Sequence, residues 1–349
     1  MRRQSWVLVG LLASATCVEP GHERAEWTAA GVPASAEVHT TLKADASVTL
    51  REIEGQLASG IARLDPQAAE SEIGRLNRAT RGEFQRVEDL DALRCLALAL
   101  RYARASNGAY DPTLGALAPP SGVGTPTLPA FEIERRLDDA GWRHVAIERD
   151  LRAVRLPSST LELDLGEVGR GCALDWAARV FARPGARAGL LRLGRSIWAW
   201  REPPGSEAWR VEVQDPRDPR RSFLTVRMTN RALASAGLPT AEASAAAPRI
   251  FGRRSGARVA SDVRAALAVA DSAADAAALA HVLLAAGSLE AADAVGRTRG
   301  AEALLVVDEA DGTPFVLASA SLEGRIETSA DLATETERDL RYLLPPVPR

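Results

Sequence analysis

The sequence predicts an α+β fold, on three observations. Helical periods are confined to a few segments, the clearest placing Ile53, Leu57, Ile61 and Leu64 on one face and Leu93, Leu96, Ala97 and Leu100 on another. The centre of the chain is rich in alternating, strand-like runs separated by turn residues. Between them, LDLGEVGRGCALD (Leu163 to Asp175) reads as an apolar strand, a glycine turn and a helix beginning near Cys172.

The elements follow in order. A small, polar stretch without period over residues 18–37 reads as a linker, with order beginning near Val38. A first helix ends at Asp65-Pro66, and a second runs from about Leu90 to Ser106, stopped by Asn107-Gly108. Residues 118–129, rich in Pro, Gly, Ser and Thr, form a surface loop or internal boundary. WRHVAIERDLRAVRLP makes a hairpin, and LLRLGRSIWAW, WRVEVQDPRD and SFLTVRM supply further strands. An alanine-rich helix over Asp271 to Ala286 and a closing hairpin, GAEALLVVDEADGTPFVLAS, complete the domain at about residue 325, leaving 326–349 as a C-terminal extension.

Composition excludes several function classes. With 349 residues, 46% of them hydrophobic and 26% charged, the chain buries a sizeable core and is not disordered. A net charge of -3 gives no electrostatic reason to bind nucleic acid. The N-terminus, MRRQSWVLVGLLASATC, has the layout of an export signal: Arg2 and Arg3, an apolar run from Trp6 to Leu12, then small residues. Cleavage after Ala15 gives a free, periplasmic protein, whereas acylation of Cys17 gives a lipid-anchored one, and both routes stay open. Cys95 falls in the apolar stripe of its helix and is expected to pack as a small hydrophobe, so no disulfide framework is expected.

The chemistry is concentrated in LDLGEVGRGCALD. Gly166, Gly169 and Gly171 allow backbone N–H groups to approach an anion closely, the following helix N-terminus adds partial positive charge, and Arg170 adds a cation. The same glycines also suit an ordinary strand-to-helix turn. Around this segment the order SEIGRLN (71–77), SNGAYDPTLGAL (106–117), LDLGEVGRGCALD and WRVEVQDPR (209–217) resembles the FAD:protein FMN transferase family, the ApbE-type flavin transferases, from roughly residue 40 to 325.

That resemblance implies a T-shaped fold with central mixed or antiparallel sheets flanked by helices, FAD as substrate, and Mg2+ bridging its pyrophosphate. The implied reaction transfers FMN to a threonine of an acceptor flavoprotein, such as one in a membrane redox complex, and releases AMP. Tyr110, Asp111, Gly166, Gly169, Arg170, Gly171 and Asp175 are the implied cofactor-binding residues.

Several positions depart from the family pattern. Against a turn close to DLGGIAKG, the chain places Glu167, Gly169 and Arg170, and Glu167 is expected to face solvent as a turn residue. A glycine and an acid of the next motif are replaced in Arg192 to Ile197, where Arg195 stands at the glycine. Arg249 and Gly252 stand at the histidine and aspartate of a catalytic motif, and Ala277 and His281 at the metal-liganding aspartate and threonine. Gly169, His281 and Asp275 are the remaining candidate metal ligands, with Asp275 on a different helix face from His281. No second histidine stands at ligand spacing from His281, so no zinc site is expected. Two functions therefore stay open: an FMN transferase with impaired catalysis, and a noncatalytic flavin-binding or scaffold descendant.

Overall fold

The computed structural model describes residues 19–115, 130–157, 161–214, 222–237, 261–308, 314–328 and 340–344. Its first element overturns the linker expectation for residues 18–37. Strand β1 (Gly21–Ala29) pairs antiparallel with β2 (Val32–Thr40) along their whole length. Ala30 and Gly31 turn the hairpin with positive φ at both central residues, the geometry that matches strand twist. On β2, Ala34, Ala36 and Val38 alternate into the core, and because two of the three are alanine the period is faint in sequence.

Helices follow: α1 (Lys43–Leu64), α2 (Glu72–Arg78) and, after the short β3 (Phe84–Arg86), α3 (Leu90–Ala105). Asp89 caps α3 by accepting from the N–H groups of Asp91 and Ala92. After α4 (Ala130–Asp139), β4 (Ala146–Glu148) and β5 (Ala153–Arg155) form the expected hairpin and pair with β3 in a small sheet.

The main sheet continues from β2 to β6 (Ala186–Leu193), β7 (Ser196–Trp200), β10 (Arg231–Gly237), β11 (Val263–Ala270), β12 (Glu302–Asp308) and β13 (Pro314–Ser319). These pairings are antiparallel. Period-two alternation gives the sheet two apolar faces. On β11, Ala266, Ala268 and Ala270 face the helical layer, while Ala265, Leu267 and Val269 face a three-stranded sheet of β8 (Trp209–Gln214), β9 (Ser222–Met228) and β14 (Ile326–Thr328). The boundary expected at residue 325 is corrected by the same pairings. β14 adds to β9, and β15 (Leu340–Leu344) runs parallel to β13, so both belong to the sheets.

The helical layer is built on α5 (Gly166–Ala178) and α6 (Ala273–Ala286). α5 starts at Gly166, six residues before the expected start, so Gly169 and Gly171 lie inside the helix rather than in a turn. Their lack of a side chain serves packing. A Cβ on Gly171 would stand 2.6 Å from the Ala273 carbonyl oxygen and 2.7 Å from the Ala274 Cα, whereas one on Gly169 would meet Leu165 more mildly, at 3.3 Å. Asp175 locks the same contact, its two oxygens accepting from the N–H groups of Ala273 (2.7 Å) and Ala274 (3.0 Å) at the start of α6.

The expectation that Cys95 merely packs is corrected in one respect. It is buried on α3, and it is bonded to Cys172 of α5, with Cα atoms 6.2 Å apart. Helical period identifies a buried face but not the residue opposite it, and 77 positions separate the two cysteines.

Three outcomes are expected. Gly171→Ala forces backbone of α5 and α6 apart and should destabilise the protein by about 1–3 kcal/mol, measured by urea unfolding. Cys95→Ser should cost about 2–4 kcal/mol by the same measurement. Burial pushes the Asp175 carboxyl up to about 7, opposed by the two N–H bonds, with the Asp275 charge pushing up and Arg179 pulling down. The native state thus keeps a proton that the unfolded chain releases near pH 4, and stability falls as pH rises across that interval. Urea midpoints from about pH 5 to about pH 8 should show this decline in the wild type and lose it in Asp175→Asn.

Candidate functional site

The segment before α5, read from sequence as a strand, is extended chain with one isolated bridge, Glu162 to Leu114, and two sequence motifs brace it. The side-chain amide of Asn77, at the end of SEIGRLN, donates to the Leu163 carbonyl (2.9 Å) and accepts from the Leu163 N–H (2.8 Å). The SNGAYDPTLG segment runs alongside, with the Asp164 N–H donating to the Pro112 carbonyl and the Gly115 N–H to that of Glu162. Asp111 is spent inside this brace: its carboxylate accepts from the Thr113 hydroxyl (2.7 Å), the Thr113 N–H (3.0 Å) and the Trp142 N–H (3.1 Å). Asp111 and Asp175, read from sequence as cofactor-binding, thus have their carboxylates engaged within the fold.

The brace delivers Tyr110 to the side of α6. Its ring meets the His281 ring edge-on, with centroids 6.3 Å apart. His281 is 8% exposed, and its Nδ1 lies 2.8 Å from the Ala277 carbonyl, which only accepts, so Nδ1 carries the proton and Nε2 the lone pair. Burial holds the His281 pKa below the usual value, so the ring is neutral; Glu167, Arg170 and Arg195 are close enough for their charges to act on it.

Arg170 and Glu167 form an i,i+3 pair on α5 at 2.8 Å, both partly buried. The expectation of a solvent-facing turn residue at Glu167 is corrected: α5 begins at Gly166, so Glu167 lies on its first turn, partly buried, with Arg170 one turn on. Arg195 comes from the β6–β7 turn, where Gly194 has φ +56°, and its Nη1 stands 3.6 Å from where a Gly237 Cβ would be. Gly237 pairs with Ala265 at the end of the sheet, and from there the Arg195 charge reaches His281.

Several buried polar atoms of these segments lack partners. Tyr110 Oη, Arg170 Nε and, on β7 beside Arg195, Ser196 Oγ are buried without a hydrogen bond. Burial and the charges of Asp164 and Asp111 raise the Tyr110 pKa well above its usual value, so the phenol is a neutral donor. Such unsatisfied atoms cost free energy unless a ligand or water meets them. At the mouth of α5, Gly166, with φ +50°, donates its N–H to the Asp164 carboxylate at 2.9 Å. Asp164, Glu167 and Arg195 are the members of the site that the cofactor-binding set read from sequence omitted. Their type gave no signal, since each stands where a turn residue also belongs.

The candidate metal ligands are not brought together. Asp275 accepts from Arg101 (2.6 Å) and the Tyr102 hydroxyl (2.9 Å), and its other oxygen from Ser272 (2.6 Å). It faces a cavity of about 300 Å³ lined by Arg101, Tyr102, Asp271, Leu279 and Arg297, whereas His281 faces Tyr110. Gly169 is buried within α5. Ala277 offers only a methyl group, and an imidazole is a poor ligand for a hard cation, so these residues do not fit Mg2+. Arg249 and Gly252 lie outside the described residues. Among the described residues, the His, Cys, Asp and Glu side chains that converge in a group of three are His22, Glu37 and His39, and they lie on the N-terminal hairpin.

The fold is shared with solved flavin transferases. The flavin transferase ApbE from Vibrio cholerae superposes with a TM-score of 0.74 at 20% identity, covering 88% of this chain and 99% of that one. The flavinyl transferase ApbE of Pseudomonas stutzeri gives 0.73 at 20% identity (89% and 98%), and the ApbE protein of Thermotoga maritima 0.72 at 18% (87% and 99%). No curated protein matches the chain in sequence. The ApbE family model matches residues 31–305, the span that runs from the β1–β2 turn through α5 and α6 to the middle of β12. The chain belongs to the ApbE family.

Proposed function

We propose that the protein binds FAD in the cleft bounded by Tyr110, Arg170, Arg195 and His281 and transfers FMN to a threonine of an acceptor flavoprotein, with catalysis slowed by its altered metal positions. The observation that carries this reading is the pair of unpartnered buried donors, Tyr110 Oη and Arg170 Nε, with a second arginine, Arg195, also acting on His281, in a family fold. A dianionic pyrophosphate supplies acceptors for those donors and counters both cations. In the transfer, the threonine oxygen bonds to the FMN phosphorus, the pyrophosphate P–O bond breaks, and AMP leaves with that oxygen. The threonine proton goes to a base, and His281 Nε2, neutral and with its lone pair free of the Ala277 bond, suits that task.

Export of the protein is part of the same proposal. The Cys95–Cys172 disulfide supports an oxidising compartment, where an acceptor subunit of a membrane redox complex presents its threonine. Whether the mature protein is free or held through Cys17 leaves the chemistry unchanged.

The second reading, a noncatalytic flavin binder, is favoured by Ala277 at the position of a metal ligand. The two are separated by incubating the protein with FAD and a threonine-bearing acceptor, then following covalent flavin by in-gel fluorescence and intact mass. Transfer is expected, with Arg170→Ala weakening FAD binding roughly tenfold and His281→Gln lowering the transfer rate about a hundredfold at nearly unchanged affinity. FAD binding without transfer would establish the second reading. Loss of both would remove the flavin site altogether.

A further inference from the structure

The β1–β2 hairpin assembles a cluster that neither FAD binding nor the fold uses. His22 and His39 are direct cross-strand partners, and Glu37 lies two residues from His39 on the same face. The imidazoles stack at 4.3 Å with planes 7° apart, and both Nε2 atoms point at one oxygen, Glu37 Oε1, at 3.1 Å and 3.3 Å. The donor atoms of all three side chains lie within 4.8 Å of one another. Those nitrogen-to-oxygen spans are close to the edge of a tetrahedron with bonds of roughly 2.0–2.1 Å, about 3.3 Å.

We propose that His22, Glu37 and His39 form a zinc site on the face of the main sheet opposite α1, with a fourth position open to water or a substrate oxygen. Two neutral imidazoles and a carboxylate make a borderline N2O set, which takes Zn2+ in preference to Mg2+ or Ca2+. Closing on an ion requires the stacked rings to splay, and His22, 56% exposed on an edge strand, has room to turn. His39 is the anchored partner: its side chain is 15% exposed and its ring lies 5.8 Å from that of Trp209 on β8. Arg24 is the cross-strand partner of Glu37, and its guanidinium is paired with Glu26 at 2.9 Å.

This site is independent of the flavin cleft, so the two proposals fail separately. The test uses the full chain without an affinity tag, stripped with chelator, and titrated calorimetrically with ZnCl2 and spectroscopically with Co2+. One equivalent of Zn2+ is expected, with tetrahedral cobalt bands and no cobalt–thiolate band, which separates the site from Cys17. His22→Asn, Glu37→Gln and His39→Gln should each weaken Zn2+ binding about tenfold or more while FAD affinity stays unchanged. His22 is exposed, so its variant folds even if the His39 variant does not, and circular dichroism reports on both. Absence of saturable Zn2+ binding, or a His22→Asn affinity equal to wild type, would overturn the proposal.

Discussion

Everything in the helical layer is positioned by the close approach of α5 to α6, which only small groups permit. Gly171 lets backbone meet backbone, and the first turn of α6 answers with Ala273 and Ala274. Asp175 then reaches across to satisfy two N–H groups that a helix start would otherwise leave open. The alanine-rich character of α6 has the same origin. Lying between α5 and the strands β10 and β11, it is buried nearly all round, and larger side chains would lift it from the sheet. The disulfide between α3 and α5 fixes the third helix of the layer to this pair.

α6 therefore acts as a divider. On one side its Asp275 and Leu279 face the cavity beside Arg101 and Tyr102; on another, Ala277 and His281 face Tyr110 and α5. Asp275 and His281 are six residues apart, so one helix cannot aim both at one ion, and the ion pair with Arg101 already satisfies the carboxylate. The cleft that remains is electrostatically mixed. Arg170 and Arg195 favour an anion, while Asp164 and Glu167 oppose it, and Glu167 already claims part of the Arg170 guanidinium. An incoming phosphate competes with that internal pair. That competition leaves the fold untouched, because the pair lies on the surface of α5 and both members are only partly buried.

The N-terminal hairpin stands apart from this tension. It extends the main sheet by two strands and places two histidines and a glutamate where strand register, not helix packing, sets their geometry. A one-residue slip would send His39 to the core face and break the group.

The sequence by itself determined the elements whose signals are local. The periods of α1 and α3, the Asp65-Pro66 stop, the hairpin of β4 and β5 and the β12–β13 pair were all legible, because side-chain period and turn chemistry act within a few residues. Four ordered motifs were enough to suggest the family. What only the tertiary structure decided were relations between distant residues. Gly169 and Gly171 read as a phosphate turn and lie inside α5, where Gly171 meets the backbone of α6, since spacing does not reveal which helix lies opposite. Asp111 and Asp175 read as cofactor-binding residues, and it took the tertiary structure to show that their carboxylates accept from distant backbone N–H groups. Cys95 was legible as buried but not as bonded to Cys172, and His22 and His39 met only through a hairpin whose alanines hid its period. In each case the residue type fixed what chemistry was available, and long-range contact decided what it was used for.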